Sequence, residues 1–116
     1  MAKNPEHRDL FPGALEIMVL QTLRLRPMHG YALVKHIKQV SDNLLQIEEG
    51  SLYPALQRLE LQKLITAKWQ ISETGRRARF YKLTAAGRNK LVSTMSRWED
   101  FVTAIGRVLH PAESPE

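Results

Sequence analysis

At 116 residues the chain has room for one compact core and not for two ordinary domains. A composition of 43% hydrophobic and 25% charged residues is that of a globular chain rather than a disordered one, and no apolar run approaches the roughly 20 residues that span a bilayer. The absence of cysteine excludes disulfides and thiolate metal sites, while a net charge of +5 and a pI near 9.8 favour a polyanionic partner without requiring one.

The opening residues lack an apolar signal core and carry Glu6, His7, Arg8 and Asp9, so a cytoplasmic, non-membrane location is expected. Residues 12–25 place Leu15, Met18, Val19 and Leu23 without a breaker after Gly13, which predicts a largely buried helix that Pro27 stops. From Gly30 to Ser41, Tyr31, Leu33, Val34, Ile37 and Val40 recur at helical spacing with Lys35 and Lys38 on the outer side, a second and amphipathic helix. Leu44 to Ile47 reads equally as a brief strand or an extended connection. Leu52, Ala55, Leu56 and Leu59 then follow an i, i+3, i+4, i+7 pattern. This predicts a third helix with Ser51 as N-cap and Pro54 in the first turn.

At Ile65 the period changes to two. Ile65, Ala67, Trp69 and Ile71 alternate with Thr66, Lys68, Gln70 and Ser72, the pattern of a half-buried strand. A second strand runs from Ala78 to Leu83, and the polar, glycine-containing turn between them makes a hairpin with a basic tip. Thr84 suits the cap of a last helix reaching Leu109, nearly 40 Å long at about 1.5 Å per residue and too long for so small a domain to cover. Pro111 and Pro115 end it.

Three helices, a hairpin and a long helix make a mainly α fold with a small β-hairpin: a winged helix-turn-helix over residues 10–84, a dimerisation helix over 85–109, and flexible tails at 1–9 and 110–116. Charge follows this plan. Lys63, Lys68, Arg76, Arg77, Arg79, Lys82, Arg88 and Lys90 are eight basic residues in a stretch whose only acid is Glu73, whereas the tail from Glu99 is mildly acidic. The asymmetry predicts one basic face.

Four segments carry a resemblance: Gly13–Leu20 (GALEIMVL), Pro27–Tyr31 (PMHGY), Glu49–Glu60 (EGSLYPALQRLE) and Arg79–Gly87 (RFYKLTAAG). Together they resemble the PadR family of bacterial transcriptional regulators, in its compact branch with a single C-terminal dimerisation helix, and the likeness covers about Leu10 to Leu109. GSLYPAL is the most specific block. One departure stands out: Lys63 occupies the position after the third helix where members often carry glycine. The resemblance implies a homodimeric repressor on double-stranded DNA, with a pseudo-palindromic operator and no cofactor.

On that reading the third helix enters the major groove with Ser51, Tyr53, Gln57 and Arg58 toward DNA. Ser51 and the helix-start N–H groups suit a phosphate, Gln57 an adenine, and Arg58 a guanine or phosphate. The plainer alternative makes Ser51 only a cap, packs Tyr53 in the core and pairs Arg58 with a carboxylate. His29, Gly30 and Tyr31 open the second helix, whose start suits a phosphate unless Gly30 serves the turn and Tyr31 anchors the core. Lys63 adds charge beside the third helix, and Arg76, Arg77 and Arg79 lie along the backbone or minor groove, unless the hairpin tip is simply solvated.

In the last helix Leu91, Met95, Trp98, Val102, Ile105 and Leu109 are spaced 4, 3, 4, 3, 4, an a/d seam that pairs with a second copy or packs on its own domain. Trp98 is similar in place to a tryptophan that stacks on flat ligands in drug-responsive relatives. This implies a small planar hydrophobic effector against Trp98, Met95 and Phe101, although a seam tryptophan is more often core. His7, His29, His36 and His110 show no metal-ligand spacing and no nucleophile has a motif around it, so enzymatic activity is not expected. A winged helix that binds only protein is the competing reading.

Overall fold

The computed structural model describes residues 13–112, so the expected tail at 1–9 lies outside the described residues. Helix α1 (Ala14–Leu25) buries Val19, Leu20 and Leu23, and its one buried polar side chain, Thr22, donates to the Met18 carbonyl at 2.7 Å. Two residues past α1, Met28–His29 form a short strand, β1, that the sequence reading does not include. A two-residue strand shows no periodicity, and only its pairing with Tyr81 and Phe80 defines it.

Helix α2 (Gly30–Val40) buries Leu33 and Ile37 and ends at Ser41. Asp42 and Asn43 then take left-handed φ values of 56° and 67°, a conformation their short polar side chains tolerate. Residues 44–47 form an extended connection and no strand. Helix α3 (Glu49–Leu61) starts earlier than expected. Its N-cap is Glu48, whose carbonyl accepts from the Ser51 and Leu52 N–H groups at 3.0 and 2.9 Å. Ser51 is therefore inside the first turn and is not the cap, and Pro54 falls in the second turn.

At the other end α3 closes with the 6→1 and 5→2 pair of hydrogen bonds of a Schellman motif. The Leu64 N–H donates to the Leu59 carbonyl at 3.0 Å and the Lys63 N–H to that of Glu60 at 2.9 Å. The residue forced to the left-handed side is Lys63, with φ 63°.

β2 (Ile65–Ile71) and β3 (Arg77–Leu83) form the hairpin, and β1 adds to the far edge of β3, giving an antiparallel sheet in the order β1-β3-β2. In register, Ile65 faces Leu83 and Ala67 faces Tyr81 over the core, whereas Trp69 faces Arg79 and Ile71 faces Arg77 beyond it. The predicted half-buried strand is thus half-buried only at its first end. Trp69 is 53% exposed and Ile71 64%, because the apolar face of the hairpin runs off the edge of a small core.

Helix α4 (Ala85–Leu109) is capped by Thr84, whose hydroxyl accepts from the Gly87 N–H at 2.9 Å. Gly87 lies so close to the turn after α3 that a Cβ there would stand 2.0 Å from the Leu64 carbonyl oxygen. Leu91 follows one turn later, fully buried among Val19, Leu56, Ile65 and the rest of a core that every element enters. The first two turns of α4 therefore belong to the winged domain. Covering a leucine of this kind contributes roughly 1.5–3 kcal/mol, so the docking is substantial. Among the described residues no helix is long and apolar enough to cross a membrane.

Candidate nucleic-acid interface

With Leu52, Ala55, Leu56 and Leu59 buried, α3 turns Gly50, Pro54, Gln57 and Leu61 outward at about 100° per residue. The residues on its two flanks are tied to neighbouring elements. Arg58 reaches α1, where its Nε and Nη2 donate to one carboxylate oxygen of Glu16 at 3.1 and 2.6 Å. On the opposite flank Glu60 accepts from Arg79 of β3 at 2.7 Å. Two of the arginines expected on DNA are thus neutralised within the fold, Arg58 with its side chain still 55% exposed. Gln57, by contrast, stands exposed on the outer ridge.

Tyr53 divides its surface between two roles. Its ring packs over the start of α2, where a Cβ on Gly30 would lie 2.6 Å from the phenolic oxygen, yet the residue is 45% exposed. Gly30 is consequently buried beneath an aromatic ring. The helix start it opens is partly satisfied from within: His29 Nδ1 accepts from the Ala32 N–H at 3.2 Å. The imidazole stands edge-on to Phe80 at 5.1 Å. Tyr31, 68% exposed, is not a core anchor.

A shallow cleft of about 350 Å³ runs between α3 and the hairpin, lined by Tyr53, Gln57, Glu60, Arg79 and Tyr81. Burial pushes the Tyr81 phenol above its ordinary value against the opposing pull of the Arg79 guanidinium. It stays a neutral hydroxyl at physiological pH. Past this cleft the wing carries exposed Lys68, Arg76 and Arg77, with the Arg77 guanidinium 5.0 Å above the Trp69 ring centroid. Lys63, exposed in its strained turn, adds a further charge near the end of α3.

Sequence reasoning missed Glu16, Glu60 and Trp69. Glu16 and Glu60 lie 42 and 19 residues from their arginines, too far for any local pattern to pair them, and the alternation that puts Trp69 on one face of a half-buried strand does not reveal where the core stops.

On α4 the seam divides. Leu91 is 0% exposed within the single chain and can offer nothing to a second copy, so it is a core residue and not part of an interface. Met95 packs partly against the same core, and Trp98 and Ile105 are half-buried. Val102 and Leu109 are 49% and 66% exposed, joined by Phe101 at 47% and Val108 at 77%. Trp98 and Phe101 face each other at 6.0 Å with a 44° tilt.

The arrangement matches known proteins along most of its length. A regulator from Clostridium thermocellum superposes with a TM-score of 0.78 at 28% identity, covering 86% of this chain and 97% of that one. A PadR-family regulator from Eggerthella lenta gives a TM-score of 0.70 at 32% identity over 86% of this chain and 85% of its own. A transcriptional regulator of Mycobacterium tuberculosis is 26% identical over 98 residues, 84% of this chain and 88% of the other. Residues 19–93 match the transcriptional regulator PadR-like family, and with a winged helix of the same build the chain belongs to that family.

Proposed function

We propose that the protein represses transcription by binding double-stranded DNA as a homodimer at a pseudo-palindromic operator. The observation that carries this reading is the juxtaposition of an outward ridge on α3 with a wing whose strands and turn hold five basic residues against one acid. A major groove accommodates α3, with Gln57 reading an adenine edge. Ser51, Tyr53 and Lys63 then lie along the groove wall with Tyr31 and His29, while Arg76 and Arg77 follow the adjoining backbone. Arg58 and Arg79 act first through Glu16 and Glu60, holding α3 in place, and contact phosphate only by exchanging those partners.

Dimerisation proceeds through the exposed part of the α4 seam, Met95, Trp98, Val102, Ile105 and Leu109, since a stripe of this kind is stable only when covered. Where two copies meet, Trp98, Met95 and Phe101 offer a surface for a small planar hydrophobic effector.

Titration of the purified protein against pooled promoter fragments, including its own upstream region, at two salt concentrations tests the reading. Selective binding whose log affinity falls linearly with log salt supports it. Binding no stronger than to random DNA, or flat salt dependence, overturns it in favour of a winged helix that contacts protein alone.

A further inference from the structure

Resting on the DNA-binding reading, we infer that Trp69 is a positioning residue for the wing: its indole holds the Arg77 guanidinium ready for a phosphate of the DNA backbone flanking the α3 site. Trp69 lies one residue pair beyond the core-covered part of the hairpin, directly opposite Arg79 and diagonal to Arg77. The sheet pleat puts Trp69, Ile71, Arg77 and Arg79 on one face, the face that Arg79 joins to Glu60 of α3. That ion pair fixes which way the face looks. It places the indole on the hairpin face that meets the Glu60 flank of the reading helix, opposite Arg79.

The two arginines on this face are treated differently by the fold. Arg79 is spent on Glu60 at 2.7 Å, and the ion pairs among the described residues are this one and Arg58–Glu16. Arg77 has the Trp69 ring instead, 5.0 Å from its guanidinium carbon to the ring centroid. An aromatic face orients a guanidinium without consuming its N–H donors, which a carboxylate would occupy. With Arg79 paired to Glu60, Lys68, Arg76, Arg77 and Lys82 against Glu73 still leave the hairpin positive, so a polyanion is the occupant that fits the apolar shelf beside Arg77. Ile71, 64% exposed beside the indole, adds an apolar surface suited to a deoxyribose edge.

Burying the pair on binding removes water from the cation–π contact and strengthens it. Trp69→Ala in the full chain should lower affinity for a selected operator at fixed salt by roughly five- to thirtyfold for each protomer's contact, the span from a partly to a fully desolvated contact. Arg77→Ala should match it. The double variant should be no weaker than the weaker single, since both remove one contact. Each should reduce the slope of log affinity against log salt by about 1.8, the signature of one lost phosphate contact in each protomer of the bound homodimer. A merely structural tryptophan would not move that slope. Trp69→Phe, which retains a π face, should recover most of the affinity, and thermal unfolding of each variant followed by circular dichroism shows that the fold is kept.

If the unaltered protein binds no DNA selectively, the underlying reading fails. If it does bind while Trp69→Ala and Arg77→Ala leave affinity and slope unchanged, or act additively, the assignment of Trp69 is wrong. A change in oligomeric state on Trp69→Ala without a change in salt slope would instead make this face an interface between copies, and would equally overturn the assignment.

Discussion

Replacing Lys63 by glycine should stabilise the protein. Lys63 holds φ at 63° to let α3 end in its Schellman turn, where an L side chain brings Cβ against the following carbonyl at a cost of roughly 1–2 kcal/mol. Glycine removes that cost and loses about 0.5–1 kcal/mol through the greater freedom of the unfolded chain. The net gain is about 0.5–1 kcal/mol. The turn cannot relax by another route, because its carbonyls anchor α4: Lys63 O accepts from the Thr84 hydroxyl at 2.8 Å and Leu64 O from the Thr84 N–H at 3.1 Å. At about 2.1 cal/mol/K per residue, unfolding 116 residues carries an entropy near 0.24 kcal/mol/K, so the melting temperature should rise by about 2–4 °C. Differential scanning calorimetry at fixed protein concentration, backed by a urea midpoint at unchanged slope, reads this directly. Lys63→Ala is the control, since it removes the ammonium and keeps the Cβ. Equal gains from alanine and glycine, or a loss with glycine, would refute the backbone argument.

Gly87→Ala should destabilise by about 3 kcal/mol or more in urea titration, because the new Cβ would stand 2.0 Å from a backbone oxygen that is itself hydrogen-bonded; a loss under 0.5 kcal/mol would contradict the close docking of α4. Glu16→Gln keeps the side-chain shape and releases Arg58, so DNA affinity at low salt should rise a few-fold while stability changes by under about 1 kcal/mol; weaker binding would show that the pair is needed to orient α3. Val102→Glu puts a charge on the exposed seam and should shift the protein toward monomer in light scattering, with operator affinity falling in parallel; an unaltered dimer would place the interface elsewhere.

Local signals explain why most elements were legible. The change of period at Ile65, the Thr84 cap, the apolar spacing of α3 and the stop at Pro27 each depend on residues within a turn or two of one another, and the structure honours them. The start of α3 failed because a serine beside an apolar run satisfies the capping pattern as well as a true cap does, and here a backbone carbonyl, from Glu48, does the capping with no side-chain acceptor. β1 escaped for a different reason. Its identity lies wholly in a partner more than 50 residues away.

Lys63 shows how a departure from an expected residue can itself be informative. Where glycine is commoner, a lysine signals either a changed turn or a strained one, and the hydrogen bonds decide for strain, since the Schellman pair is intact. The candidate interface was legible in its chemistry and not in its allocation. That Arg58, Arg77 and Arg79 make one region basic follows from composition, but whether a guanidinium faces outward or is held by a carboxylate depends on Glu16 and Glu60 arriving from elsewhere in the chain. The same holds for the seam. A 4, 3, 4, 3, 4 spacing identifies a stripe on one side of α4, yet only the packing of the winged domain determines that Leu91 is absorbed into it while Val102 and Leu109 stay open. Periodicity thus gives direction around a helix axis, and the extent of the core decides how far along that axis the stripe is already covered.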